Sequence, residues 1–399
     1  MRKRESGFTL IELLITMAIF VLTIAAATNV FVPLLTQFKQ QSRIAETQTE
    51  GIIGLDLFRR DIEQAGFGLP WVLPDPGVFS YSEASSVTDG TIPAPNTYND
   101  ASNTVPRAIV ADNNVAGLGS SDYLVIKATS VAANDAAMKW TYVVEDPAGN
   151  TQVRAWGNPV EDLNDGDRVI ALIPSRGETN QRILVNDGAS FSITFNQAAF
   201  PAAFSPSTAN DLYLIYGVDP STSLRMPFNR ADYFIRSSGS TIPGRCVAGT
   251  GVLVKSVISH VNGNRGVEMP LLDCVADMQV IFGFDMDEDG ERGTFSDADG
   301  GQVTGTEGAT VANVQATLND PALLRSRLNE VRVYILAHEG QKDATFTYPN
   351  ATIQMPADPS DPAFAVGSDF DLSASGIPDW QNYRWKVFTL SVKPNNLRS

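Results

Sequence analysis

The chain begins MRKRESGFTLIELLITMAIFVLTIAAATNVFVPLL, in which three cations precede 28 almost wholly apolar residues, Phe8 to Leu35. As a helix rising 1.5 Å per residue, that run is long enough to cross a bilayer. Arg2, Lys3 and Arg4 ahead of it are expected to hold the start on the cytoplasmic side and send the remainder across. A secretory signal would end in a small-residue cleavage site after about 7–15 apolar residues. Here the run is longer, and helical spacing continues behind it. One carboxylate, Glu12, lies inside the run, although a lone acid at mid-helix costs about 2.5–3.5 kcal/mol to insert. A plain single-pass anchor leaves Glu12 unexplained.

Behind the run, FKQQSRIAETQTEGIIGLDLFRRDIEQAG places Phe38, Ile44, Ile52, Leu55, Phe58 and Ile62 at helical intervals among polar residues. The two parts are read as one helix from about Thr9 to Ala65, near 85 Å if continuous. Pro33 is its expected kink or point of local unwinding, and Gly51 and Gly54 are further weak points. The domain reading is a basic leader over 1–7, a transmembrane and amphipathic stalk helix over 8–65, and an extracytoplasmic globular part over 66–399.

Gly7-Phe8-Thr9-Leu10-Ile11-Glu12, followed by LLITMAIFVLTIA, resembles the signal of type IV pilins and type II secretion pseudopilins. The resemblance implies that a prepilin peptidase cuts after Gly7 and methylates Phe8, and that Glu12 becomes the fifth residue of the mature chain. Cleavage there leaves an amine at the head of a helix, which the Glu12 of a neighbouring subunit can neutralise inside an apolar filament core. Such a pair sets axial register, because sliding one subunit strands two charges. On this reading Glu12 is an assembly residue. The implied partners are other major and minor pilins in a hetero-oligomer, the prepilin peptidase, an inner-membrane assembly platform and the lipid bilayer.

After Ala65, GFGLPWVLPDPG breaks the helix, and the Ser-, Asn-, Pro- and Gly-rich stretch to about 107 reads as long surface loop. Short β-branched runs follow: DYLVIKAT (122–129), MKWTYVVE (138–145), RVIALIP (168–174), QRILVN (181–186) and SFSITFN (190–196). DLYLIYGV (211–218), ADYFIRS (231–237), VLVKSVI (252–258), VRVYILA (331–337) and WKVFTLSV (385–392) continue the series. Turn-rich separators make these an antiparallel sheet, with short helices over 311–320 and 321–330. The fold class is α+β: a long N-terminal transmembrane and stalk helix, then a large, mostly antiparallel β domain. PLLDCVADMQVIFGFDMDEDG (270–290), NEVRVYILA (329–337) and the terminal NNLR (395–398) resemble PilW-like minor pilins, and more loosely the J-type pseudopilins.

Cys246 and Cys274 both fall in the exported part, where one bridge would stabilise a loop by roughly 2–4 kcal/mol. Cys246–Cys274 is the expected pair, two unpaired core thiols being the alternative. FDMDEDGERGTFSDADGG (284–301) places Asp285, Asp287 and Asp289 at positions 1, 3 and 5 ahead of Gly290, a spacing that suits Ca²⁺. The Glu291 carbonyl could add an oxygen and Asp297 could close the ring. Ser296 stands where an EF-hand has its bidentate Glu, so the expectation is a non-EF calcium loop, with a solvated acidic hairpin as the alternative.

The formal charge of −16 argues against a nucleic-acid surface. His260 and His338 lie in no hydrolase, zinc or nucleotide motif, and the chain is read as no enzyme. The expected function is a minor pilin in type IV pilus assembly or priming, placed in the bacterial inner membrane and then in the pilus or at its tip. The alternatives are a J-type pseudopilin of type II secretion and a tip-displayed adhesin or DNA-uptake module.

Overall fold

In the computed structural model, which describes residues 9–74, 79–174, 182–208, 211–238 and 242–397, the apolar run and the stretch behind it form one helix, α1, Leu10–Glu63. Its 54 residues span about 81 Å. The helix continues through position 33, so the unwinding expected there does not occur. Proline removes one N–H from the ladder, and the turns on either side still hold the backbone.

The last turns of α1 bury Gly51, Gly54, Leu55, Phe58, Asp61 and Ile62, at spacings of three and four residues. Ile52, expected on that face, is 65% exposed, because a buried stripe through Leu55 and Phe58 turns position 52 outward. The Ile44 side chain lies outside the described set.

Thirteen strands precede two short helices: β1 Ile109–Val115, β2 Ser121–Ala128, β3 Trp140–Glu145, β4 Thr151–Val153, β5 Arg168–Pro174, β6 Arg182–Leu184 and β7 Ile193–Thr194. Next come β8 Leu212–Asp219, β9 Asn229–Arg236, β10 Gly251–Ile258, β11 Arg265–Phe284, β12 Thr294–Ser296 and β13 Val303–Gly305. The helices α2 Val311–Asn319 and α3 Pro321–Arg327 lead into β14 Leu328–Glu339, β15 Thr352–Met355, β16 Ser368–Asp371 and β17 Arg384–Val392. A nine-stranded sheet runs β1-β2-β9-β10-β11-β12-β13, with β14 between β11 and β17. A six-stranded sheet runs β4-β3-β8-β5-β6, with β7 on β5, and β15 pairs β16.

One apolar cluster joins Phe58 and Ile62 of α1 to Tyr233, Val280 and Val333 of the larger sheet and to Ile170, Leu172 and Tyr216 of the smaller. The end of α1 is therefore part of the globular head's core.

The longest strand, β11, changes partner midway. Residues 265–275 pair with β10 and residues 275–284 with β14, the change falling at Val275, which pairs both Gly251 and Ala337. Just before it the register shifts between Leu272 and Val275. Cys274, at this shift, takes a φ of +58°, the local distortion of a β-bulge.

The stretch up to residue 107 differs from expectation. It has little regular structure, yet Leu69, Trp71, Phe79, Tyr81, Ile92 and Tyr98 are buried in it. Turn-forming residues predicted its irregular backbone correctly, but its aromatic and aliphatic side chains fold it onto the sheets instead of over the surface. SFSITFN contributes only the two residues of β7 to a ladder.

Candidate functional site: the anchor helix and its seat

Gly7 and Phe8 lie outside the described residues. The description begins at Thr9, the N-cap of α1. The Thr9 hydroxyl accepts from the Glu12 backbone N–H at 3.4 Å, and the Thr9 backbone N–H donates to Glu12 Oε2 at 2.9 Å. This capping box satisfies donors that a helix start otherwise leaves orphaned. Sequence reasoning took Glu12 as an assembly residue and missed this local role, although Thr-x-x-Glu before an apolar run is the signature of such a box. Behind it, Leu10–Val32 is long and apolar enough to cross a membrane, and Glu12 is its one ionisable residue. Its side chains are exposed throughout.

At its other end the helix is seated by four devices. Gly54 lets the backbone approach β11 so closely that a Cβ at that position would sit 1.9 Å from the Leu271 carbonyl oxygen. The glycines read as weak points are thus points of contact. Phe58 stacks on Tyr233 with ring centroids 4.6 Å apart. Beside it, the buried Asp61 carboxylate accepts from Lys255 Nζ at 2.6 Å and from the Tyr233 hydroxyl at 2.7 Å. Burial pushes the Asp61 carboxyl up, and the Lys255 ammonium opposes that shift. The Asn395 N–H donates to the Glu63 carbonyl at 2.9 Å, so the chain's C-terminal segment holds the end of the helix.

A second buried ionic network fixes the irregular stretch. Lys127 on β2 bridges Glu83 at 2.9 Å and Asp100 at 2.7 Å, and Arg230 on β9 reaches Glu83 at 3.2 Å and Asp232 at 2.8 Å. Lys127, Glu83, Arg230 and Asp232 are all essentially inaccessible. The backbone N–H groups of Asp100 and Ala101 also donate to Glu83 Oε1. Glu83 thereby ties two strands to a segment that lies outside the strand ladders. The only signal in the sequence was a Lys or Arg inside an apolar strand run, as in DYLVIKAT and VLVKSVI.

Cys246 and Cys274 form a disulfide with Cα atoms 4.7 Å apart. It joins the loop ahead of β10 to the bulge of β11, so it pins the place where β11 changes partner. The two histidines are buried and packed: burial pushes both imidazoles down to about 4, leaving them neutral at physiological pH. His338 Nε2 accepts from the Val247 N–H at 3.1 Å, and His260 Nε2 faces Asn229 Oδ1 at 3.0 Å.

The acidic turn follows β11. Oxygens of Asp285, Asp287 and Asp289 lie within 4.8 Å of one another. Asp285 is buried and accepts from the Asp289 and Gly290 N–H groups at 3.0 and 2.8 Å, while Asp287 and Asp289 are exposed. A hard cation could take oxygens from all three. The Asp297 carboxylate is not among the grouped oxygens. Asp297 Oδ1 accepts from the Gln302 N–H at 3.0 Å, and its Oδ2 accepts from Asn113 Nδ2 at 3.0 Å.

Residues 2–28 match the model of the prokaryotic N-terminal methylation motif, and residues 232–396 match that of the Type IV Pilus-assembly protein W family. Together the two matches support a PilW-like type IV minor pilin. The methylation motif implies processing by a prepilin peptidase and, with the apolar helix it runs into, membrane anchoring. The PilW match runs from β9 to β17 and takes in Lys255, the disulfide and the acidic turn. The six-stranded sheet falls between the two matched regions. No curated protein and no solved structure matches the chain.

Proposed function

We propose that this PilW-like chain is a non-catalytic minor subunit that primes type IV pilus assembly and sits at or near the pilus tip. It would enter the inner membrane with its N-terminus cytoplasmic and its head periplasmic, be cut between Gly7 and Phe8, and join other pilins on the assembly platform. The observation that carries this reading is the single carboxylate, Glu12, at the head of an exposed apolar span that lies largely within the matched methylation motif. Two features favour the tip: the head is large, and it carries a second, six-stranded sheet between the matched regions. Bulk of this kind is hard to repeat along a shaft. The same head would hold calcium at Asp285, Asp287 and Asp289.

The deciding experiment compares the membrane with sheared pili by N-terminal peptide mass. A chain beginning at methylated Phe8 in the pilus fraction, at a small ratio to the major subunit, is expected. A chain that still begins at Met1, or is cut beyond the apolar run, overturns the reading. Processed chain that copurifies only with the type II secretion machinery moves it to the pseudopilins.

A further inference from the structure

We propose that the cleft between the start of β3 and the 156–164 loop binds a neutral oligosaccharide. The cleft has a volume of about 770 Å³, within the range of specific small-ligand sites. It lies on the six-stranded sheet, between the two regions that the family models match, and α1 packs against β11, β14 and β17 of the other sheet. Occupation of the cleft therefore leaves the seat of the anchor helix untouched.

Its wall is aromatic and partly open to water. Trp140 and Trp156 meet edge to face with centroids 5.2 Å apart, and Tyr142 approaches Trp156 at 6.2 Å. Trp140 is 37% exposed and the neighbouring Met138 is 51% exposed. Large apolar side chains left in water in one place mark a binding surface more often than chance exposure does.

The rings are fixed before any ligand arrives. The Trp156 indole N–H donates to the Trp140 carbonyl at 2.8 Å. Asp162 accepts from the Trp156 and Gly157 backbone N–H groups at 2.6 and 3.0 Å, which sets the loop's course. Met138, directly ahead of β3, holds a φ of +70°, in the left-handed region that a methionine rarely adopts. Strained backbone of this kind collects at ligand sites, and a pre-ordered wall spares the entropy of ordering it on binding.

The polar groups choose the ligand. Asp135, Lys139, Glu161 and Asn164 share the lining with the two indoles. A sugar ring offers an apolar C–H face for an indole and a rim of hydroxyls that both donate and accept. This lining supplies both counterparts. The acids oppose a polyphosphate chain, whose affinity comes from clustered cations, and Lys139 opposes a simple cation. An amphipathic peptide helix would need a continuous apolar floor, which these four residues interrupt.

The test uses the full-length protein in a detergent without a sugar headgroup. Maltoheptaose, cellohexaose and chitohexaose are titrated by calorimetry and by tryptophan fluorescence. Saturable binding of at least one glycan in the millimolar range or tighter is expected, weakened about tenfold or more by Trp140→Ala. Glu161→Ala and Val160→Glu alter exposed side chains of the same cleft and should also weaken binding if Trp140→Ala fails to fold. Three results overturn the proposal: no saturable signal with any of the three glycans, binding that Glu161→Ala and Val160→Glu leave unchanged, or tighter binding of oligothymidylate or a heparin hexasaccharide. Because no pilus is needed, a failure here is distinct from a failure of the assembly reading.

Discussion

Thr9 and Glu12 satisfy one another at the head of the anchor helix. Both the backbone N–H and the hydroxyl of Thr9 lie within 2.9 Å of Glu12 Oε2. In a single subunit the carboxylate is thus already hydrogen-bonded, which lowers the penalty of placing it at the start of an apolar span. A cap of this kind is worth about 0.5–2 kcal/mol, whereas a charge partner in a neighbouring subunit acts only on assembly.

These two roles separate by substitution. Glu12→Gln can still close a capping box but carries no charge to meet an amine. Thr9→Val loses the cap and keeps the charge. Membrane abundance and processing should stay near wild type in both variants. Incorporation into sheared pili should fall steeply for Glu12→Gln and little for Thr9→Val. Equal incorporation of the two would assign Glu12 to capping alone.

Gly54→Ala should destabilise the head, against the usual sign of that change. In a solvent-exposed helix the substitution gains about 1 kcal/mol. Here the new Cβ would lie 1.9 Å from a backbone oxygen of β11, which cannot move without breaking the strand. A cost of about 1–3 kcal/mol is expected, as for overpacked cores. Gly51→Ala should be milder, because its close neighbour at 2.8 Å is the flexible end of Leu272. Thermal melts of the detergent-solubilised chain check the order.

Asp61 and Lys255 form a buried pair between α1 and β10, 2.6 Å apart. Removing one partner of such a pair costs about 3–5 kcal/mol, because the other charge remains unsolvated. Asp61→Ala should therefore loosen the head from the helix, seen as new protease cleavage between residues 50 and 70. The double change Asp61→Leu with Lys255→Met should recover most of the loss, and failure to recover would show that the pair does more than offset its own burial.

How far the fold was legible in the sequence follows from what each signal measures. Runs such as RVIALIP reproduce β5 residue for residue, because β-branching and burial act together there. The first half of β11 was missed, since RGVEMPLLD carries a proline, a glycine and two acids; its ladder is imposed by β10 and by a bulge that only tertiary contacts hold. The methylation motif and the apolar span at the start of the chain were readable because they are contiguous. The Glu83 and Asp61 networks were not, because their partners lie 44 residues away at Lys127 and 194 residues away at Lys255.

Three buried acids give the head an unusual pH response. Burial pushes Asp277 and Asp297 up to about 6, and Asp122 well above its ordinary value. Asp277 accepts from the Ser121 hydroxyl at 2.8 Å and from Gln279 Nε2, with no cation among these partners. A raised folded-state value means that the native protein keeps a proton the unfolded chain releases. The contribution to stability is present below about pH 4 and is lost as pH rises through 6. The two buried histidines slope the other way, losing stability as pH falls from 6.5 towards 4. Asp277→Asn isolates the first effect. Relative to wild type, the variant should gain stability between pH 4.5 and 7.5, by at most about 3 kcal/mol for a shift of some two units. A flat difference across that range rejects the assignment.

The acidic turn yields the last prediction. Asp285 already holds the turn through two backbone N–H bonds, so its shape does not depend on an ion. What an ion would change is the repulsion among three carboxylates whose oxygens lie within 4.8 Å of one another. Two of them are exposed and Asp297 faces elsewhere, which leaves few protein ligands for a cation that takes six to eight oxygens. Affinity in the range of extracellular modules, about 10⁻⁴–10⁻³ M, is therefore expected. Millimolar Ca²⁺ should raise the melting temperature of the full chain modestly and EDTA should reverse it, while Mg²⁺, which demands a tighter octahedral shell, should do less. Asp287→Asn with Asp289→Asn should abolish the calcium response and leave the ion-free melting temperature unchanged or slightly higher, because the substitutions relieve the same repulsion. A calcium response that survives the double substitution places the ion elsewhere, and no response in the wild type makes the turn a solvated hairpin.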